Sequence, residues 1–127
     1  MKLENSEGTG VDLDVDNITM VVRGGLGFYV IGRRIHEEFG GDMDAFMAVL
    51  PNIENFVKLT WVGDGEPFWA NATTVKQVRP IGDSIKAHYK DAQSDVTFTG
   101  GINRVVTEDP YDTCKRLNAA GANRLDF

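Results

Sequence analysis

Hydrophobic and polar positions alternate over several short stretches of the chain, which is the period of a β-strand. The first is Val11-Asp12-Leu13-Asp14-Val15-Asp16, after ten mostly polar residues. The pattern predicts a polar tail at residues 1–10 and then a strand with an acidic solvent face. The aspartate spacing also matches the start of a calcium loop, but Asn17 and Arg23 stand where that loop needs glycine and a bidentate glutamate. We therefore expect no metal site here.

Residues 24–27, Gly-Gly-Leu-Gly, follow a β-branched run and could either cradle a phosphate or turn the chain. A Walker loop continues with Gly-Lys-Ser/Thr, and a dinucleotide fingerprint has its third glycine where Val30 stands. Both motifs fail, so we expect a turn.

The next stretch, residues 28–39, leaves two structures open. Its hydrophobic residues at positions 28, 31, 35 and 39 have the spacing of an amphipathic helix, although Gly32 weakens that interpretation. Phe28-Tyr29-Val30-Ile31 also suits the second strand of a hairpin across the glycines.

A short helix is predicted after residues 40–41. Asp42 is a suitable N-cap, and Pro51 ends the pattern. The expected buried stripe consists of Met43, Phe46, Met47 and Leu50.

The second half has the pattern of a β meander. Turn-forming residues 63–67 separate strands at residues 56–62 and 68–71, and Gly100-Gly101 separates strands at residues 96–99 and 104–106. Residues 75–79 form a further strand that ends before Pro80, which favours a sheet edge. Residues 82–95 are polar and loop-like, with one possible strand at residues 85–89.

The chain closes on a predicted capped helix. Asp109 is the N-cap, Pro110 occupies the first helical position, and Gly121 lies past the end. The last six residues are expected to fray unless Phe127 is held. Together the patterns predict a single α+β domain, in which residues 11–55 supply a strand and one or two helices. Residues 56–121 supply the antiparallel meander and its C-terminal capping helix.

Composition restricts the classes of function. Of 127 residues, 42% are hydrophobic and 25% charged, which is typical of a globular domain. The net charge of −6 makes nucleic acid an unfavourable partner. No apolar run is long enough to span a membrane, and no secretory signal is present. With a single cysteine, the expected location is the cytoplasm of a bacterial host, or a virion.

The order of motifs in residues 56–118 resembles the small FlbD-type proteins, found beside flagellar genes and among small phage proteins. The similarity runs through Phe56-Val57-Lys58-Leu59-Thr60, Phe68-Trp69-Ala70-Asn71, Val75-Lys76-Gln77-Val78 and Val96-Thr97-Phe98-Thr99-Gly100-Gly101, and ends in Arg104-Val105-Val106-Thr107-Glu108-Asp109. The loop at residues 81–95 is longer than the family's turn, and residues 1–55 have no counterpart. The resemblance implies a small non-enzymatic partner of a larger assembly.

Reactive side chains do not cluster along the sequence. His36, His88 and Cys114 lie far apart, whereas zinc needs three or four close ligands and a nucleophilic cysteine needs an adjacent base. We expect no catalytic residues, no metal and no cofactor. A small hydrolase using these scattered residues is the weakest alternative.

Five residues in or near the hairpin formed by the strands at residues 56–62 and 68–71 are candidates for an interface or a ligand site: Trp61, Phe68, Trp69, Asn71 and Arg79. Alternation places Phe68 and Trp69 on opposite faces, so we expect one ring to leave the core and anchor a partner. The alternative is that it packs under the first helix or the long loop. Asn71 and Arg79 could line a nearby pocket.

Two hypotheses of function follow. The first is a non-enzymatic, self-associating accessory or structural protein of a phage particle or another bacterial assembly, with a protein partner. The second is a small-ligand binder that sequesters an anionic nucleotide signal. It requires arginines to converge on one pocket, chosen from Arg23, Arg33, Arg34, Arg79, Arg104 and Arg116.

Overall fold

The computed structural model describes residues 1–126, which form ten strands and three α-helices. The first half contains β1 (Lys2–Glu4), β2 (Gly10–Asp12), β3 (Ile18–Gly24), β4 (Gly27–Gly32), β5 (Ile35–Gly40) and α1 (Met43–Ala48). The second half contains β6 (Phe56–Thr60), β7 (Pro67–Asn71), β8 (Val75–Pro80), α2 (Asp83–His88), β9 (Ser94–Phe98), β10 (Asn103–Val106) and α3 (Pro110–Ala119). The predicted α+β class with antiparallel sheets and a C-terminal helix is confirmed. No helix in residues 1–126 is long and apolar enough to cross a membrane.

The strands form a five-stranded sheet in the order β5-β4-β3-β7-β6, a three-stranded sheet in the order β10-β9-β8, and a separate β1-β2 pair. Just beyond β6 the chain pairs with β10, through an antiparallel bridge between Trp61 and Val106. The Val62 N–H donates to the Val105 carbonyl at 3.1 Å, and the Thr107 N–H donates to the Thr60 carbonyl at 3.1 Å. The two larger sheets are therefore joined into one curved ladder with β5 and β8 at its ends.

Both faces of the five-stranded sheet are covered. One face packs against the three-stranded sheet and α3, and its core includes Met20, Leu59, Phe68, Val96, Phe98 and Leu117. The other face packs against α1 and the N-terminal segment, and its core includes Ile18, Val21, Phe28, Val30, Phe39 and Met47. The strands predicted for the second half are present, but they are divided between two sheets.

Residues 28–39 form strands, so the helix interpretation of this stretch is wrong. The chain turns at Gly25 and Leu26 between β3 and β4, and Phe28 lies opposite Phe39 across the β4–β5 pair. Phe28 belongs to one core, whereas Ile31 packs against the other. In a sheet that is buried on both faces, hydrophobic residues occur at odd and at even positions of a strand. Some of them are then three or four residues apart, as in a helix.

The N-caps predicted for α1 and α3 are confirmed. The Asp42 carboxylate accepts a hydrogen bond from the Ala45 N–H at 3.2 Å, and the Asp109 carboxylate accepts one from the Asp112 N–H at 2.8 Å. Gly121 follows α3 with a φ of 104°, in the left-handed region that glycine adopts without strain.

Three local expectations are corrected. Residues 83–88 form α2 rather than a loop or strand. Its residues are not buried, so it lacks the hydrophobic periodicity that reveals a helix. At the N-terminus β1 pairs with β2, and the acidic strand stops at Asp12 before a 3-10 turn at Val15–Asn17.

The C-terminal segment is anchored rather than frayed as far as residue 125. The Asn118 side chain donates to the Leu125 carbonyl at 2.9 Å and accepts from the Leu125 N–H at 2.7 Å. Leu125 is buried in the core beneath α3. The expectation about Phe127 falls outside the described residues.

Candidate functional site

The aromatic hairpin β6–β7 places Phe68 and Trp69 on opposite faces, as alternation predicts. Phe68 is buried in the core between the two larger sheets, with 2% of its surface exposed. Trp69 lies on the other face and is partly buried against the α1 core. Trp61, also partly buried, follows β6 on the Phe68 side. Packing against the first helix, one of the two alternatives for the outward ring, therefore applies to Trp69.

Arg104 covers the aromatic rings at the junction of the two sheets. Its guanidinium carbon lies 4.2 Å from the Trp61 ring centre and 5.3 Å from that of Phe68. Arg104 points to this side because it is two residues from Val106 on β10, and residues two apart share a face of a strand. The alternation along β10 is the sequence signal that places Arg104 on the same face as the buried Val106.

The electrostatic environment of Arg104 is unusual for an arginine. Burial lowers the pKa of Arg104, and the Asp64 carboxylate opposes that shift. Within residues 1–126 its side chain has no carboxylate within ion-pair distance. The guanidinium remains protonated at neutral pH, so ring faces stabilise a charge that Arg23, Arg79 and Arg116 place beside an acid.

Trp69 joins a polar cluster with α1. Its ring N–H donates to the Asp44 carboxylate at 3.0 Å, and the Lys58 ammonium donates to the same carboxylate at 3.3 Å. The Lys58 nitrogen also lies 5.1 Å from the Trp69 ring centre. The Trp69 hydrogen bond, assisted by Lys58, lowers the pKa of Asp44. Sequence reasoning missed Asp44 and Lys58, because their partner lies on another element.

The remaining two candidate residues do not join this site. Asn71 is fully buried, and its amide donates to the Ile18 carbonyl at 2.7 Å. Its side-chain oxygen accepts from the Thr73 N–H at 3.1 Å, so Asn71 holds the backbone around the end of β7. Arg79 lies in the other sheet, where it is exposed and faces Asp95 at 3.8 Å. The pocket expected from Asn71 and Arg79 together is not formed.

Reactive groups are dispersed. His36 lies on β5 with its ring edge-on to Tyr29, and His88 ends α2. Cys114 is buried on α3, and burial raises the pKa of its thiol, with a smaller contribution from Asp126. No group of three or more His, Cys, Asp or Glu side chains within residues 1–126 is arranged to hold a metal ion.

The arginines do not converge on one pocket. Three have acidic neighbours at 3.8 Å: Arg23 beside Glu66, Arg79 beside Asp95 and Arg116 beside Asp112. Arg33 and Arg34 share the turn between β4 and β5, apart from those three and from Arg104, whose guanidinium covers the Trp61 and Phe68 rings.

Comparisons of the chain with protein-family models, with curated proteins and with solved structures found no match. The function is therefore argued from the geometry of the chain itself.

Proposed function

We propose that the chain is a non-enzymatic, self-associating structural or accessory protein of a larger assembly, set in a phage particle or another bacterial complex. The observation that carries the proposal is the pair of outer strands. β5 has a strand partner only on its β4 side, and β8 only on its β9 side, among residues 1–126. An outer strand presents backbone N–H and C=O groups that a strand of another chain can pair with.

The two outer strands differ in charge. β5 carries Glu37 and Glu38, whereas β8 carries Lys76 and Arg79. Like charges disfavour pairing of β5 with β5 or of β8 with β8, and opposite charges favour β5 of one copy against β8 of the next. Such head-to-tail contacts form a ring when the rotation closes and a filament when it does not.

Each outer strand is also partly protected, which argues for a specific contact over general aggregation. The Ser6 N–H donates to the Glu38 carbonyl at 2.8 Å and so occupies part of the β5 edge. Pro80 removes one donor from β8. The unoccupied stretches are short, as expected for a contact that forms only with a matching partner.

Two further observations support a non-enzymatic role. The thiol of Cys114 is buried with a raised pKa, the opposite of an activated nucleophile. The two histidines lie on β5 and α2, away from α3. The FlbD-type resemblance of residues 56–118 points in the same direction, toward a small partner of an assembly.

The test is the molar mass in solution, measured by light scattering over a concentration series. We expect a mass above 14.0 kDa that rises with concentration. Glu37→Lys and Lys76→Glu should each lower the association, because each removes the net charge of one outer strand. Mixing the two variants should restore part of it, since β5 of the Lys76→Glu chain is still negative and β8 of the Glu37→Lys chain is still positive.

Matched charge reversals away from the outer strands, Glu54→Lys and Lys115→Glu, control for net charge. Both positions are exposed. A chain that stays monomeric at every concentration and retains no partner during purification from its native source contradicts the proposed function. If the chain associates but the outer-strand substitutions leave the association unchanged, only the proposed contact is contradicted.

A further inference from the structure

Two cavities meet at the tight turn between β4 and β5. One, of about 420 Å³, is lined by Asp12, Asp14, Asn17, Arg33, Arg34 and Ile35. The other, of about 450 Å³, lies between this turn and the β9–β10 turn and is lined partly by Thr19, Thr99 and Ile102. Arg33 lines both cavities, so they adjoin at this residue, and together they are called here the Arg33 groove.

The acidic groups of the groove already have partners. The Asp12 carboxylate accepts a hydrogen bond from the Met1 ammonium at 2.9 Å. The Asp14 carboxylate accepts one from the Asn17 amide at 2.6 Å. The charge of Asp12 is thus partly balanced within the chain, whereas the Asn17 amide occupies one oxygen of Asp14 without neutralising its charge.

The basic groups of the groove lack such partners. Within residues 1–126 the side chains of Arg33 and Arg34 make no hydrogen bond and no ion pair, whereas Arg23, Arg79 and Arg116 each face a carboxylate. Arg33 and Arg34 are both exposed. The donors of both guanidinium groups are therefore available to an anionic ligand.

The backbone of the β4–β5 turn determines the positions of the Arg33 and Arg34 Cα atoms. Gly32 pairs with Ile35 across the turn, and the Arg33 N–H donates to the Asn17 carbonyl at 3.2 Å. Arg34 has a φ of 60°, and within residues 1–126 it is the single residue other than glycine in the left-handed region. Glycine or asparagine would occupy that position with less strain. Strain of this kind is often retained where a side chain has a binding role.

We propose that the Arg33 groove binds the phosphate group of a small molecule. Arg33 and Arg34 donate to the phosphate oxygens, as guanidinium groups do in other phosphate sites. The rest of the ligand lies in the second cavity, which Thr19, Thr99 and Ile102 line. This proposal is independent of self-association.

The size and charge of the groove favour a small molecule over a nucleic acid. A nucleic acid needs many lysines and arginines to neutralise its phosphates, but the groove offers two, on a chain of net charge −6. A phosphate group also suits two neighbouring guanidinium groups better than malonate does, because its oxygens are held tetrahedrally around one atom, whereas those of malonate lie on two separate planar carboxylates.

The test is calorimetric titration of the whole chain at constant ionic strength. The probes are inorganic phosphate, adenosine 5′-monophosphate and malonate. We expect saturable binding of the two phosphate compounds, and weaker binding of malonate. Arg33→Gln and Arg34→Gln should each weaken phosphate binding by about tenfold or more, since each removes a charge-assisted hydrogen bond.

Arg124→Gln is the matched control, because it removes the same charge from an exposed position outside the groove and outside the outer strands. Arg34→Gly separates binding from folding: it should raise the melting temperature by relieving the backbone strain, and still weaken binding. The proposal is overturned if the unmodified chain binds neither phosphate compound, if malonate binds equally well, or if Arg124→Gln weakens binding as much as Arg33→Gln.

Discussion

The Glu38 carboxylate accepts a hydrogen bond from the backbone N–H of Leu26 at 3.0 Å, at the tip of the β3–β4 hairpin. The Ser6 hydroxyl donates to the other oxygen of Glu38 at 3.1 Å. These contacts, the Leu26 N–H foremost, lower the pKa of Glu38. The glycine turn thus holds a carboxylate of the chain itself, through the Leu26 N–H and beside Gly25, at the place where a phosphate-binding loop would hold its ligand.

Gly25 is expected to be intolerant of a side chain. It has a φ of 56°, and a Cβ there would overlap the Glu38 carboxylate. Gly25→Ala should lower the free energy of unfolding by about 1–2 kcal/mol, the cost of a left-handed residue with a Cβ. Gly40→Ala is the control, because a Cβ there meets nothing within 4 Å. Urea unfolding measures both, and equal effects of the two substitutions would contradict the turn geometry.

Asn71 is expected to act in folding and not at an interface. Asn71→Ala leaves the buried Ile18 carbonyl without its donor and removes the cap on the Thr73 N–H. The free energy of unfolding should fall by about 2 kcal/mol. Asn103→Ala, at an exposed position that bonds Asp95, should change it by less than about 0.5 kcal/mol. Chemical denaturation that fails to separate the two variants would show that the Asn71 bonds contribute nothing to stability.

The Arg104 side chain is expected to stabilise the fold through its contact with the rings more than through its charge. Arg104→Ala uncovers Trp61 and Phe68 and should reduce the free energy of unfolding by about 1–2 kcal/mol. Arg104→Met keeps a long apolar side chain and removes a desolvated charge, so it should cost less than Arg104→Ala. Tryptophan fluorescence during urea unfolding measures both. Equal losses in the two variants would show that the charge itself carries the stabilisation, because both variants lack it.

The Asp44 contacts are expected to make stability sensitive to acid. The pKa of Asp44 is lowered in the folded chain, so its contribution is complete above about pH 4, the usual aspartate range. It is lost as the pH falls through the lowered pKa. The urea midpoints of the unmodified chain and of Asp44→Asn should therefore differ at pH 7 and approach each other at pH 3.

Solvent screening reduces the size of this effect, because 45% of the Asp44 side chain is exposed. Asp16→Asn is the matched control, an exposed carboxylate without a side-chain hydrogen bond among residues 1–126. If Asp16→Asn shows the same pH dependence, general charge rather than the Trp69 contact is responsible.

The parts of the fold that sequence predicted are those with local signals. Asp42 and Asp109 mark helix starts that hold in the structure, and the glycine turns mark the hairpins. In α2 and in residues 28–39 local signals failed, for opposite reasons. The first is a helix without buried residues, and the second is a sheet segment buried on both faces.

The arrangement of the site was less predictable, since it depends on pairing between distant strands. Alternation correctly separated Phe68 from Trp69, but the partners Asp44 and Arg104 come from α1 and β10. From the sequence, Arg33 and Arg34 were named only as two of the six arginines from which a ligand pocket could be built. Their common position at one turn follows from the β4–β5 pairing, which the helical spacing of residues 28–39 obscured.

The pairing of β3 with β7 also determines when the chain can fold during its synthesis. Met20 lies beside Ala70 in the ladder, so the hairpins of the first half leave the ribosome well before their neighbouring strand exists. Until then one side of β3 stays unpaired, and such non-local contacts slow folding. A chain truncated after α1 would leave β3 unpaired on one side, so neither half is expected to fold by itself.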